Sequence, residues 1–233
     1  MTSNKKKFYL IILAIILLSA LILRISSKST SQKVITIEST KVSDAKEQSY
    51  ISNKYPELNF NDKIFGDKNA KLKIFVYEDY SNILSAQLDD TLEKIKLEKK
   101  DLNIIVRPYV SADILSKNAA LALACSDDKW VEMRALLFAQ VKNKQINIDN
   151  FSANAKQIGL NEENFTNCLT NPEISRTIEK SMEESKAFSV LGAPTTFVGD
   201  ELVIGARPYD NFTDSNGDKI EGLENLINRK LGK

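Results

Sequence analysis

The chain has no histidine and only two cysteines, Cys125 and Cys168. Without an imidazole there is no Ser-His-Asp or Cys-His nucleophile, no H-E-x-x-H zinc site and no histidine acid or base. The two cysteines are too few and too far apart for a C-x-x-C pair or a zinc knuckle. Glu78 and Asp79 end an apolar, β-rich run, and with no thiol beside them they read as solvated or paired carboxylates. Thr213 to Asp218 (TDSNGD) lacks the ligand pattern of a calcium loop and reads as an exposed turn. Trp130, Met133 and Phe138 recur at helical spacing and read as core. No cofactor or metal is implied. The 32 basic and 31 acidic residues leave a net charge of +1 with no basic stripe, so a nucleic-acid partner is not expected.

The elements that must position any site follow from periodicity. Leu72 to Tyr80 (LKIFVYEDY) starts nearly continuously apolar, as a strand buried on both faces would. Asn82 is a good N-cap residue, and Leu84, Leu88, Leu92 and Ile95 form a helical stripe that leaves Asp89, Asp90, Glu93 and Lys94 outside. Leu102 to Val110 is a second β-rich run, so strand, helix and strand make a right-handed β-α-β unit with parallel strands. Residues 113–191 read as successive helices, broken at Ser126-Asp127-Asp128, Lys142-Asn143, Gly159 and Asn171-Pro172. Thr195 to Val198 and Leu202 to Ile204 form a hairpin around Gly199-Asp200-Glu201, and a last helix spans about Gly222 to Leu231. The fold class is α/β with a central mixed sheet: β-α-β and β-β-α halves flanking an inserted helical subdomain.

That order is the thioredoxin plan, and three motifs resemble the DsbA family of thiol oxidoreductases. Ile64-Phe65-Gly66-Asp67 with Leu72 to Ser81 resembles the approach to its first core strand. Gly192-Ala193-Pro194-Thr195 resembles its G-x-P-T loop, and Gly205-Ala206-Arg207-Pro208-Tyr209 the exit strand and final helix start. The resemblance spans about Leu58 to Lys233. It implies a cis-proline at Pro194 and, at Ala193, a backbone able to pair with an extended peptide.

The departure is at the active site. Where the family has Cys-Pro-x-Cys, this chain has Asn82, Ile83, Leu84 and Ser85. The family's first cysteine is a thiolate stabilised by helix-start amides and the second resolves the mixed disulfide. Asn82 cannot attack a disulfide, and the Ser85 hydroxyl without a base is a poor nucleophile. No catalytic residue is therefore expected here. Ile83, Leu84, Ala193, Pro194 and Thr195 remain as a peptide-binding surface.

Cys125 and Cys168 lie in separate predicted helices of the insertion, where some DsbA-like proteins carry a structural disulfide. A structural bridge, two free buried thiols and a redox-active pair are the three readings. A bridge would stabilise the fold by roughly 4 kcal/mol on the chain-entropy model.

At the N-terminus, Lys5, Lys6 and Lys7 (basic region, residues 1–7) precede an apolar run from Phe8 to Leu23. The run falls between the length of a signal-peptide apolar region and the roughly 20 residues of a full span, so its length does not decide cleavage, but no small-residue cleavage site follows it, which favours an uncleaved signal anchor over a removed signal peptide. The expected topology is a single-pass transmembrane helix in the cytoplasmic membrane at residues 8–23, a polar linker at 24–57, and the 58–233 domain on the periplasmic or extracellular side. The sequence-based expectation is a membrane-anchored thioredoxin-fold module that holds extended or unfolded extracytoplasmic polypeptide. Its alternative is a thiol-disulfide oxidoreductase acting through Cys125/Cys168 or a partner's cysteines.

Overall fold

The structure is a computed structural model that describes residues 55–67 and 69–233. The basic region, the apolar run and nearly all of the linker lie outside them. Among the described residues no helix is long and apolar enough to cross a membrane.

The chain runs β1 (Lys63–Gly66), β2 (Leu72–Glu78), α1 (Ile83–Glu98), β3 (Leu102–Pro108) and the helical block. This block is α2 (Ile114–Ala124), α3 (Trp130–Lys142), α4 (Phe151–Gln157), α5 (Glu162–Leu169) and α6 (Pro172–Ala187). It closes with β4 (Thr195–Val198), β5 (Glu201–Ile204), a short ladder of β6 (Phe212–Thr213) and β7 (Lys219–Ile220), and α7 (Leu223–Leu231). The five-stranded sheet has the order β1-β3-β2-β4-β5, with β2 and β3 parallel and the other pairs antiparallel. The mixed sheet, the β-α-β unit and the helical insertion match the sequence expectation.

Alternation along β2 and β3 fills both faces, as their continuous apolar sequence requires. Ile74, Val76, Ile104 and Val106 point into the larger core with Leu88, Leu92, Ile95, the insertion helices and α7. Phe75, Tyr77 and Ile105 point the other way, into a smaller cluster with Val190 and Phe197. Met133 and Phe138 are fully buried, and Trp130 packs on Phe65 with ring centroids 4.4 Å apart.

Four sequence expectations change. Residues 63–66 do not feed the first core strand; they form β1, a separate edge strand antiparallel to β3. Gly66 is required there: its φ is +97°, and a Cβ would stand 2.7 Å from the Leu102 carbonyl oxygen. The domain also begins before Leu58, because Pro56 is buried and the Glu57 carbonyl accepts from Arg107 Nη2 at 2.5 Å. That arginine also holds Asp62 through two bonds of 2.7 and 2.9 Å, pinning the incoming strap to β3. Residues 188–191 lie past the end of α6. On α1, the apolar stripe is shifted: Asp89 is buried and Leu84 is 44% exposed. The first turn of α1 stands at the rim of the sheet, and Asp89 faces a cation from the insertion.

Candidate functional site

The site is built at the carboxyl ends of the parallel strands, where β2 turns into α1. Asp79 shapes that turn, its Oδ1 accepting from the Ser81 amide at 2.9 Å and the Ser81 hydroxyl at 2.7 Å. Asn82 then caps the helix, its Oδ1 accepting from the amides of Leu84 at 2.7 Å and Ser85 at 3.4 Å. These are orphan amides of a helix start, the groups that stabilise a thiolate in a working thiol site. Here the chain's own amide side chain fills that place. Ile83 and Leu84 are 46% and 44% exposed, side by side on the first turn.

Ser85 is fully buried, and its hydroxyl accepts from the Asp79 amide at 3.2 Å. It braces the turn from inside. Ser85→Ala leaves the Asp79 N–H buried without a partner, and should lower the unfolding free energy by about 1–3 kcal/mol in urea denaturation. An unchanged midpoint would show that this bond does not matter.

Across from the helix start lies the loop 191–195. β4 pairs Thr195 with Tyr77 of β2, so Pro194 stands level with Glu78, four residues before Asn82. The Ala193-Pro194 bond is cis. The loop's carbonyls are nearly all spoken for. Leu191 accepts from the Tyr109 hydroxyl at 3.0 Å, Gly192 from the Thr195 hydroxyl at 2.7 Å, and Pro194 from the Gly205 amide at 2.9 Å. Among the described residues the Ala193 carbonyl is the one of these four with no partner. Pro194 and Thr195 are buried, so Thr195 holds the loop rather than facing outward, while Ala193 is half-buried.

Beneath the turn sits an ion network that sequence reasoning missed. Arg134 of α3, 3% exposed, grips the fully buried Glu78 through Nη2 to Oε1 at 2.6 Å and Nε to Oε2 at 2.9 Å. Its Nη1 reaches Asp89 Oδ1 of α1 at 2.5 Å. Burial pushes the Glu78 carboxyl above its ordinary value, against the pull of Arg134. Burial alone would lower Arg134, but Glu78 and Asp89 hold its guanidinium above its usual range. Burial, with the Glu78 charge adding to it, raises the Tyr80 phenol well above its ordinary value. Two signals could have found the network: a cation at position 134 inside the apolar stripe of Leu137, Phe138 and Val141, and an acid closing an otherwise apolar strand.

The two cysteines lie in the helical insertion. Cys125 caps the end of α2 and Cys168 lies in α5, joined as a disulfide with Cα atoms 5.7 Å apart. Of the three readings, free thiols are excluded. Around Thr213 to Asp218, Asp214 Oδ1 accepts from the amides of Asn216 and Asp218 at 2.9 Å each, the exposed turn expected. Among the described residues no cluster of three or more His, Cys, Asp or Glu is placed to hold a metal ion.

The β-α-β and β-β-α halves, the helical insertion and a cis-proline loop opposite the first helix define the class, a thioredoxin-fold domain. A thioredoxin family profile matches residues 59–215, and the chain belongs to that family. Similar solved structures include a thioredoxin-like oxidoreductase from Silicibacter pomeroyi DSS-3, at 17% identity and TM-score 0.61, covering 75% of this chain and 95% of that one. The thiol-disulfide exchange protein alpha-DsbA2 from Wolbachia pipientis follows at 18% and 0.60, covering 73% and 88%. A periplasmic thioredoxin-like protein from Salmonella enterica serovar Typhimurium matches at 22% and 0.59, covering 74% and 91%. Among curated proteins none matches the chain.

Proposed function

We propose that this chain is a redox-inactive, polypeptide-binding member of the thioredoxin family. In this reading residues 8–23 anchor it in a bacterial cytoplasmic membrane and the domain faces outward. The observation that carries it is the helix start itself, capped by Asn82 and followed by the exposed pair Ile83 and Leu84, with no sulfur at positions 82–85. Dithiol exchange needs a thiolate there, and the amides that would stabilise one are already bonded. The Ala193 carbonyl, without a partner among the described residues, supports docking of an extended chain by main-chain pairing. The outward orientation rests on the lysines before the apolar run and is in keeping with the periplasmic protein from Salmonella enterica among the similar structures.

A photo-crosslinking residue at Leu84 in the full chain tests the binding. It should capture a carboxymethylated, permanently unfolded protein and leave the native form of that protein uncaptured. The same crosslinker at Leu97, which is 78% exposed further along α1, serves as the control. Equal capture at both positions, or none at either, contradicts the reading.

The second reading, oxidoreductase activity through Cys125 and Cys168, draws on one observation: Cys168 is only half-buried, so the bridge is not fully sealed.

A further inference from the structure

A cavity of about 620 Å³ lies between the incoming strap, the end of β3 and the insertion helices α2 and α6. None of residues 82–85 or 191–195 lines it, so it is separate from the helix start and the proline loop. Its apolar wall is Val106, Ala120, Leu123 and Ile178, each between 1% and 5% exposed, and the fully exposed Phe60 of the strap lines it as well. The strap is held across it at two points. Arg107 grips Asp62, and Lys63 Nζ donates to the Asp127 carbonyl beyond the end of α2 at 3.2 Å. Small-molecule sites have this character: roughly 300–1,000 Å³, apolar walls on pre-formed elements and a few polar groups that fix orientation.

Tyr80, two residues past the end of β2, supplies such a group. It lines the cavity, is 1% exposed, and its hydroxyl has no hydrogen-bond partner among the described residues. A buried hydroxyl left unpaired is costly, and a ligand atom that pairs with it recovers that cost. The ring is packed on Phe138, with centroids 5.8 Å apart. Burial, with the Glu78 charge adding to it, holds the phenol well above its ordinary value, so it remains an O–H donor throughout the physiological range.

The lining also limits the charge of the occupant. Lys63, Arg107 and Lys180 stand against Asp62, Asp127 and Glu184, three cations to three anions, so an ionic ligand meets no net counter-charge. A carboxylate brought to Tyr80 would in addition meet the buried Glu78 and Asp79 that immediately precede it. What remains is an uncharged acceptor on an apolar body.

We propose that this cavity binds a neutral, largely apolar small molecule whose carbonyl oxygen accepts a hydrogen bond from Tyr80. The site is independent of polypeptide binding at the helix start.

The test uses the full chain in phospholipid nanodiscs with benzophenone, a neutral aromatic ketone that inserts into nearby C–H bonds when irradiated. Mass mapping should place the label on Leu123, Ile174 or Ile178. Dicyclohexyl ketone should compete with this labelling about tenfold more effectively than dicyclohexylmethane, the scale of one hydrogen bond to a buried hydroxyl. Tyr80→Phe should bring that ratio close to one without lowering the thermal midpoint, because the bond it removes forms only with the ligand. Thr177→Trp, at an exposed position of α6 that lines the cavity, should suppress the labelling. Label confined to residues outside the cavity, or equal competition by the two compounds, overturns the proposal. So does a preference that survives Tyr80→Phe, and a lowered midpoint in that variant would then give the hydroxyl a structural role instead.

Discussion

Arg134→Leu should lower the unfolding free energy by about 3–5 kcal/mol, because it strands Glu78 and Asp89 as buried, uncompensated carboxylates. The cost comes from the orphaned charges more than from the lost attraction. A triple variant, Arg134→Met with Glu78→Gln and Asp89→Asn, removes all three charges together and should recover most of the loss. Urea denaturation of the three proteins checks both statements. A fall below about 1 kcal/mol for Arg134→Leu would mean that water reaches the network and solvates the stranded carboxylates. The network joins β2, α1 and α3, so its loss should loosen the seat of the insertion on the sheet, directly under the Asn82 turn.

The double variant Cys125→Ser, Cys168→Ser should lose about 4 kcal/mol, the chain-entropy cost of freeing a loop whose ends are 43 residues apart. Both ends lie inside the insertion, on α2 and α5. Amide exchange should therefore quicken first in α4 and α5 and last in β2 and β3. Dithiothreitol should bring the wild type to the same midpoint as the variant. Equal stability of the oxidised wild type and the double variant would contradict a structural role for the bridge.

Much of this fold was legible because its signals are local. The continuous apolar runs of β2 and β3, the Asn82 cap and the Pro172 helix start each act within a few residues. The breaks that divide the insertion appear where the sequence places them. The misses share one cause, which is tertiary context. The spacing of Leu84, Leu88, Leu92 and Ile95 on α1 leaves Asp89 outside the stripe; the insertion supplies Arg134 on that side and takes Asp89 in. Leu84 fits the same stripe by period and is exposed because the first turn stands at the rim. Edge strand β1 is four residues long and is recognisable only through its partner β3. At the site, the missing sulfur is readable from residue types, and the proline loop from the family resemblance of Gly192-Ala193-Pro194-Thr195. The role of Ser85 as a brace, the burial of Thr195 and the hold of Tyr109 on Leu191 join residues that are up to 82 positions apart, and so depend on the fold.

The central claim is a thioredoxin-family domain that binds without redox turnover. It is tested most directly by insulin reduction with dithiothreitol, comparing the full chain, its Cys125→Ser, Cys168→Ser variant, and a variant carrying Asn82→Cys with Ser85→Cys. The account predicts background rates for the first two, and turnover only where a cysteine pair is returned to the helix start. Turnover by the wild type that vanishes in the Cys125→Ser, Cys168→Ser variant would contradict it, placing a working redox couple in the insertion.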